Sequence, residues 1–129
     1  MKIYVAHSKD FDYKNELYAP IRGDEKLKEH QIFLPHEVSA SSSNTRDFYS
    51  DIDLMIAECS YPSTGLGIEL GWAFDDHVPV FAIHKQGTKV SGSVYAVTDN
   101  IAEYTDSNDM LEMIRSTISQ NVNHTGNHR

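Results

Sequence analysis

One cysteine, few basic side chains and no long apolar run set the first limits on this chain of 129 residues. Cys59 alone cannot close an intramolecular disulfide, so a disulfide-stapled scaffold is excluded, and a lone thiol fits a reducing cytoplasm. It ends an apolar stretch, which reads as a buried, inert thiol rather than a nucleophile. Lys and Arg total 11 against 19 Asp and Glu, a formal charge of −8. A protein that grips long nucleic acid needs a basic face for the phosphates, and this composition does not supply one. A small anion stays within reach, because a few local donors hold one phosphate even in an acidic protein. No apolar run approaches the roughly 18 residues of a membrane span. The opening Met1-Lys2-Ile3-Tyr4-Val5-Ala6 turns polar and meets Asp10 and Asp12 too soon for a signal peptide. What is present, 40% hydrophobic residues, suits one soluble domain over 1–120 that buries roughly two-thirds of its unfolded surface. A polar tail over 121–129 is expected to fray.

Apolar periodicity sets out the elements. Lys2 to Ala6 alternates as a first strand. Phe11 to Glu29 has helical spacing of Leu17, Ile21 and Leu27, split by Pro20 and Gly23. Gln31 to Leu34 is a short strand, and Ser39 to Ser43 a polar loop from which Ser42, Ser43 or Asn44 caps a short helix through about Asp51. Leu54 to Ala57 is a wholly apolar strand of the buried, parallel kind. Gly65 to Asp76 is a helix with Leu66, Leu70 and Ala73 on one face. Val78 to Ile83 is another strand, Gly87 to Ser93 a loop, and Ile101 to Tyr104 an edge strand. A last helix opens at Ser107 or Asn108 with Met110, Leu111, Ile114 and Ile118 as its stripe. Strands alternating with helices predict right-handed βαβ units. The fold expected is α/β, a flavodoxin-like (Rossmann-like) doubly wound sheet of about five parallel strands with helices on both faces.

In such sheets ligands bind beyond the carboxyl ends of the strands. Those ends carry Ala6-His7-Ser8, Pro35-His36-Glu37, Ser60 to Glu69, and His84. The Gly-rich turn offers backbone N–H groups and hydroxyls to an anion. Glu69 falls in the first turn or two of the following helix, where the dipole is expected to keep a carboxylate ionised. The turn has no P-loop lysine. Its Gly65-x-Gly67 follows the third strand, not the first, so it is no dinucleotide fingerprint. Asp53 starts its strand, the wrong edge for a phosphorylated response-regulator aspartate. The histidines form no convincing ligand set: His124 and His128 lie in the polar tail, and His77 and His84 flank a strand. No metal and no cofactor are expected.

Tyr4, the Asp53–Ala57 strand and above all Pro62-Ser63-x-Gly65-x-Gly67-x-Glu69-Leu70-Gly71-x-Ala73 resemble the nucleoside 2-deoxyribosyltransferase superfamily, which includes the 2′-deoxynucleoside 5′-monophosphate N-glycosidases. In element order the resemblance runs over most of residues 2 to 119. It implies that Glu69 attacks C1′ of the sugar to form a covalent glycosyl-enzyme, with Tyr4 orienting it and Asp47, or else Asp51, contacting sugar or base. His36 and Glu37 fall where relatives meet the nucleobase. The hydrolases hold a 5′-phosphate with serines, here Ser8, Ser63, and Ser91 and Ser93 in a loop lent to a neighbouring subunit. Gly65 and Gly67 belong to the same substrate-binding turn. The hydrolases' first loop, Gly-Ser-Ile-Arg-Gly-Gly, is replaced by His7-Ser8-Lys9-Asp10-Phe11-Asp12. Here Lys9 or His7 supplies the missing charge while Asp10 and Asp12 oppose it. The expected activity is cleavage of the base–sugar bond of (2′-deoxy)nucleoside 5′-monophosphates. The alternatives are 2-deoxyribosyl transfer between bases by the same intermediate, and a nucleotide-binding module without turnover. A homodimer or higher homo-oligomer with shared sites is implied, with Trp72, Phe74 and Tyr95 as contact residues, and a cytoplasmic setting.

Overall fold

The computed structural model describes residues 1–37 and 51–127. Five strands, β1 (Lys2–His7), β2 (Gln31–Phe33), β3 (Leu54–Glu58), β4 (Val80–Lys85) and β5 (Ile101–Tyr104), form one sheet. Their spatial order is β2-β1-β3-β4-β5, and every pairing is parallel. The expected doubly wound α/β fold is therefore the observed one. β3 is buried along its whole length, as its unbroken apolar run requires when helices cover both faces.

A π-helical turn over Lys14–Tyr18 runs directly into helix α1 (Ala19–Gly23), and a 3₁₀ turn spans Leu27–Glu29. The split expected at Pro20 is corrected: the chain stays helical through Pro20 and leaves the helix only after Gly23. Proline has no N–H to donate, and Pro20 follows directly on the π-helical turn, where the i→i−4 ladder is already interrupted. Helices α2 (Thr64–Asp75), α3 (Gly92–Tyr95) and α4 (Ser107–Asn127) follow. The short α3 occupies part of an expected loop. α4 runs past residue 120, where the polar tail was expected to begin; no proline or glycine interrupts it before Gly126, and polarity alone does not end a helix. The expected loop at Ser39–Ser43 and its capped helix lie mostly outside the described residues. Among those described, no helix is long and apolar enough to cross a membrane.

Alternation along the strands builds two cores. Ile3, Val5, Leu54, Ile56, Phe81 and Ile83 meet Leu17, Ile21, Met110, Ile114 and Ile118 on one face. Tyr4, Ala6, Met55, Ala57, Val80 and Ala82 meet Leu66, Leu70, Ala73 and Val94 on the other. On the second face Ala6, Ala57 and Ala82 lie side by side in register. That row of small side chains lets α2 settle close to the sheet. Asp53 stands at the amino edge, where its carboxylate accepts the Lys2 N–H at 2.7 Å.

Candidate active site

The strand order reverses between β1 and β3, the place where doubly wound sheets open a ligand crevice. There the segments leaving β1, β2 and β3 surround a cavity of about 450 Å³. Of the residues singled out in the sequence, Tyr4, Ser8, His36, Ser63, Gly65 and Glu69 line it. His7, Lys9, Asp10, Pro35, Ile68 and Trp72 complete the wall.

Glu69 is placed by α2. Ser63 caps that helix, its Oγ accepting the Leu66 N–H at 3.3 Å and its carbonyl the Gly67 N–H at 3.1 Å. Glu69 lies in the second turn, just before the buried Leu70. Its Oε2 accepts the hydroxyl of Tyr4, a fully buried side chain of β1. Tyr4 also stacks on Phe33, ring centroids 5.4 Å apart, so a core aromatic presents one polar tip to the carboxylate. The expectation of an ionised Glu69 is corrected here. Burial pushes its pKa up to about 7, against the opposing pull of the Tyr4 hydrogen bond. The helix dipole acts mainly within the first turn, and desolvation outweighs it at this depth.

Ser8 is buried at the cavity edge, its Oγ accepting the Asp10 N–H at 3.0 Å. His36 follows β2, and burial holds its ring below the usual histidine range, so it presents a neutral imidazole at pH 7. His7 does not supply a charge: desolvation lowers it to about 4. Lys9 is the cationic side chain of this rim, with the Asp10 carboxylate beside it on the same cavity.

Other candidates lie apart from this group. Glu37 takes two hydrogen bonds from Arg22, both 2.7 Å, which hold it below the usual carboxylate range; it lines not the cavity but an adjoining hollow with Lys14, Tyr18 and Arg22, the two sharing His36. Ser91 and Ser93 are exposed around the start of α3 and bond each other at 3.1 Å. Gly67 is exposed on α2 and does not line the cavity. Asp47 lies outside the described residues. Cys59 is buried, and burial pushes its thiol up to about 12, the inert form expected.

Two polar clusters were not anticipated. Glu58, fully buried on β3, accepts the Ser60 N–H and hydroxyl at 2.8 Å each and the Tyr104 hydroxyl at 2.5 Å. Its position after four apolar residues was the one available signal. Lys85 pairs with Glu16, bonds the Tyr61 hydroxyl at 3.0 Å, and lies 5.1 Å from the ring centres of Phe11 and Tyr61. Phe11 stacks on Tyr61 at 5.1 Å, which fastens the loop after β1 to the loop before α2. Among the described residues no three His, Cys, Asp or Glu side chains form a metal cluster.

No family model matches this chain, and no curated relative does. Solved structures do. A conserved protein from Enterococcus faecalis V583 aligns with 18% identity and a TM-score of 0.66, covering 91% of this chain and 98% of that one. The CMP N-glycosidase BcmB of Clostridium botulinum aligns with 18% identity and a TM-score of 0.66, over 91% and 99%. A 2-deoxyribosyltransferase from the psychrotolerant Bacillus psychrosaccharolyticus aligns with 24% identity and a TM-score of 0.56, over 85% and 90%. Across nearly the full length of each, this chain is similar to a nucleotide N-glycosidase and a deoxyribosyltransferase, and the doubly wound fold is the one it shares with them.

Proposed function

We propose that this protein is an N-glycosidase that cleaves the base–sugar bond of (2′-deoxy)nucleoside 5′-monophosphates. The carrying observation is the Tyr4–Glu69 hydrogen bond in a cavity that also presents Ser8, Ser63 and Gly65. The ionised Glu69 carboxylate attacks C1′ as the C1′–N bond breaks. The bond's electron pair leaves with the base, which takes up a proton. Water then hydrolyses the glycosyl ester, releasing the sugar and restoring the carboxylate. Tyr4 aims Glu69 by donating its hydroxyl to the carboxylate. The Ser8 and Ser63 hydroxyls, the N–H groups opening α2 and the Lys9 ammonium suit a phosphate group. The neutral His36 ring suits hydrogen bonding to the base. Asp47 falls in the segment after β2 and remains a sugar or base contact on the resemblance alone. The reading includes a homo-oligomer in which Ser91 and Ser93 of one copy complete the phosphate end of another's site. A cytoplasmic setting accords with the single thiol.

One observation favours a second reading. Asp10 lines the same cavity; a carboxylate there repels a phosphate and accepts from a free 5′-hydroxyl, as deoxyribosyl transfer between bases would need. The two readings, and a binding module without turnover, separate in one experiment. The protein is incubated with deoxynucleosides, deoxynucleoside monophosphates and their ribo counterparts, with and without a second base, and products are followed by chromatography. Free base released from monophosphates without an acceptor is the expected result. A new nucleoside formed only with the second base establishes transfer, and no turnover of any compound leaves a binding module.

A further inference from the structure

Behind the cavity wall, hydrogen bonds run in one chain from the loop after β2 to the loop after β1. The backbone N–H of His36 donates to the Tyr18 hydroxyl at 2.9 Å. The Tyr18 oxygen lies 2.6 Å from His7 Nε2, and His7 Nδ1 lies 2.7 Å from the Ser8 carbonyl oxygen. The direction of each bond is fixed. A carbonyl only accepts, so Nδ1 carries the ring proton. A second proton on Nε2 would charge a buried ring, and desolvation holds His7 down to about 4. Nε2 is therefore an acceptor, and the phenol donates to it while accepting from His36. Burial also pushes the Tyr18 hydroxyl up, which keeps its proton in place.

The chain's anchoring is local. Leu17 and Tyr18, consecutive residues, are both buried. Both pack into the core beneath the sheet from within the π-helical turn, and such turns often accompany sites. The His7 ring is held by Tyr13 at 4.7 Å, Tyr18 at 5.2 Å and His36 at 5.5 Å between centroids. Both its nitrogens are engaged, so it has no free donor or acceptor for a substrate. β2 is only three residues long, and the Tyr18 bond adds a fastening to the loop that follows it.

We propose that the Tyr18–His7 pair is a strut that sets the separation of Ser8 and His36, and so positions a ligand that must touch both rims. Its effect on substrate rests on the proposed assignment of the sugar's 5′ end to Ser8 and of the base to His36. These are positioning residues, acting through the two loops they brace.

Amide NMR of the ligand-free full chain, paired with calorimetric binding in a Glu69→Gln background, tests this. Tyr18→Phe is expected to displace the resonances of His36 and of Ser8 and Lys9 together. It is expected to weaken a nucleoside monophosphate about tenfold, while ribose 5-phosphate and free base, which each meet one rim, change less than about twofold. Wild-type ring spectra are expected to show a neutral His7 with its proton on Nδ1. Movement of His36 alone, or equal weakening of nucleotide and fragments, overturns the strut. Should Tyr18→Phe not fold, His7→Asn keeps an amide donor near the Ser8 carbonyl while cutting the link to Tyr18; it is expected to displace His36 across the link together with its neighbour Ser8, and an unmoved His36 overturns the strut. If the wild type binds no nucleotide, the functional reading falls, and the ligand-free resonances alone decide the strut.

Discussion

A single carboxylate carries opposing demands here. Glu69 must be ionised to attack, yet burial raises it to about 7. The kcat/KM profile is therefore expected to rise with pH through an acid limb near 7, measured on a monophosphate over pH 5 to 9; an acid limb near the ordinary glutamate range would remove Glu69 from the role. The same shift governs stability. A carboxyl whose folded pKa lies above its unfolded value binds its proton more tightly in the fold. Its contribution is fully present below about 4.5 and is lost as pH rises through about 7. The loss amounts to at most about 3 kcal/mol. Glu69→Gln should thus unfold at a higher temperature than the wild type at pH 8, with the difference fading toward pH 4.5. Tyr4→Phe removes the bond that pulls Glu69 down. Hydrogen bonds to charged groups contribute about 1.5–3 kcal/mol, so the acid limb should move up by about one unit or more and kcat/KM should fall at least tenfold. An unchanged limb would mean that the hydroxyl does not hold the nucleophile.

At the scale of elements, the strand and helix order was legible because the apolar spacing is strong: Leu66, Leu70 and Ala73 face inward on α2, and the Leu54–Glu58 run is buried throughout. The helix start after the buried strand was legible to within a residue: α2 opens at Thr64 under the Ser63 cap, so Gly65 and Gly67, expected in the turn, lie inside the helix. The unreadable parts all depend on partners distant in sequence. Glu58 meets Tyr104 46 positions later, His7 meets Tyr18 across a π-helical turn, and the sign of the Glu69 shift follows from burial depth rather than helix position. Glu37 was drawn to the site by adjacency to His36, but Arg22 takes it. α2 supplies its own prediction. Gly71 is exposed in a helix interior, and a Cβ there would meet nothing within 4 Å. Gly71→Ala should stabilise the isolated chain by about 0.5–1 kcal/mol through helix propensity alone, read from urea unfolding. A loss of stability that grows with protein concentration would instead show that a second copy packs against that glycine.

For the whole molecule, the uneven surface is the informative property. A net charge of −8 keeps copies apart at long range, yet Ile68, Phe74 and Tyr95 remain 50%, 60% and 60% exposed. Ile68 also lines the cavity, so an associating copy that covered this face would close the site at the same time. Ser91 and Ser93 stand exposed beside Tyr95 at α3, outside their own chain's cavity. A hydroxyl with no role in its own site becomes useful when it reaches a partner's, which a two-fold interface provides twice over. The expected consequence is complementation. Glu69→Gln and the double variant Ser91→Ala, Ser93→Ala should each be strongly impaired alone. Mixed and allowed to exchange, they should regain up to about a quarter of wild-type turnover, because half the pairs are mixed and each holds one intact site. A mixture no more active than the sum of its parts would confine each site to one chain. It would leave the 5′ end of the substrate to Ser8, Ser63 and Lys9 alone, with Asp10 opposing a phosphate there, and would turn the balance toward a free 5′-hydroxyl.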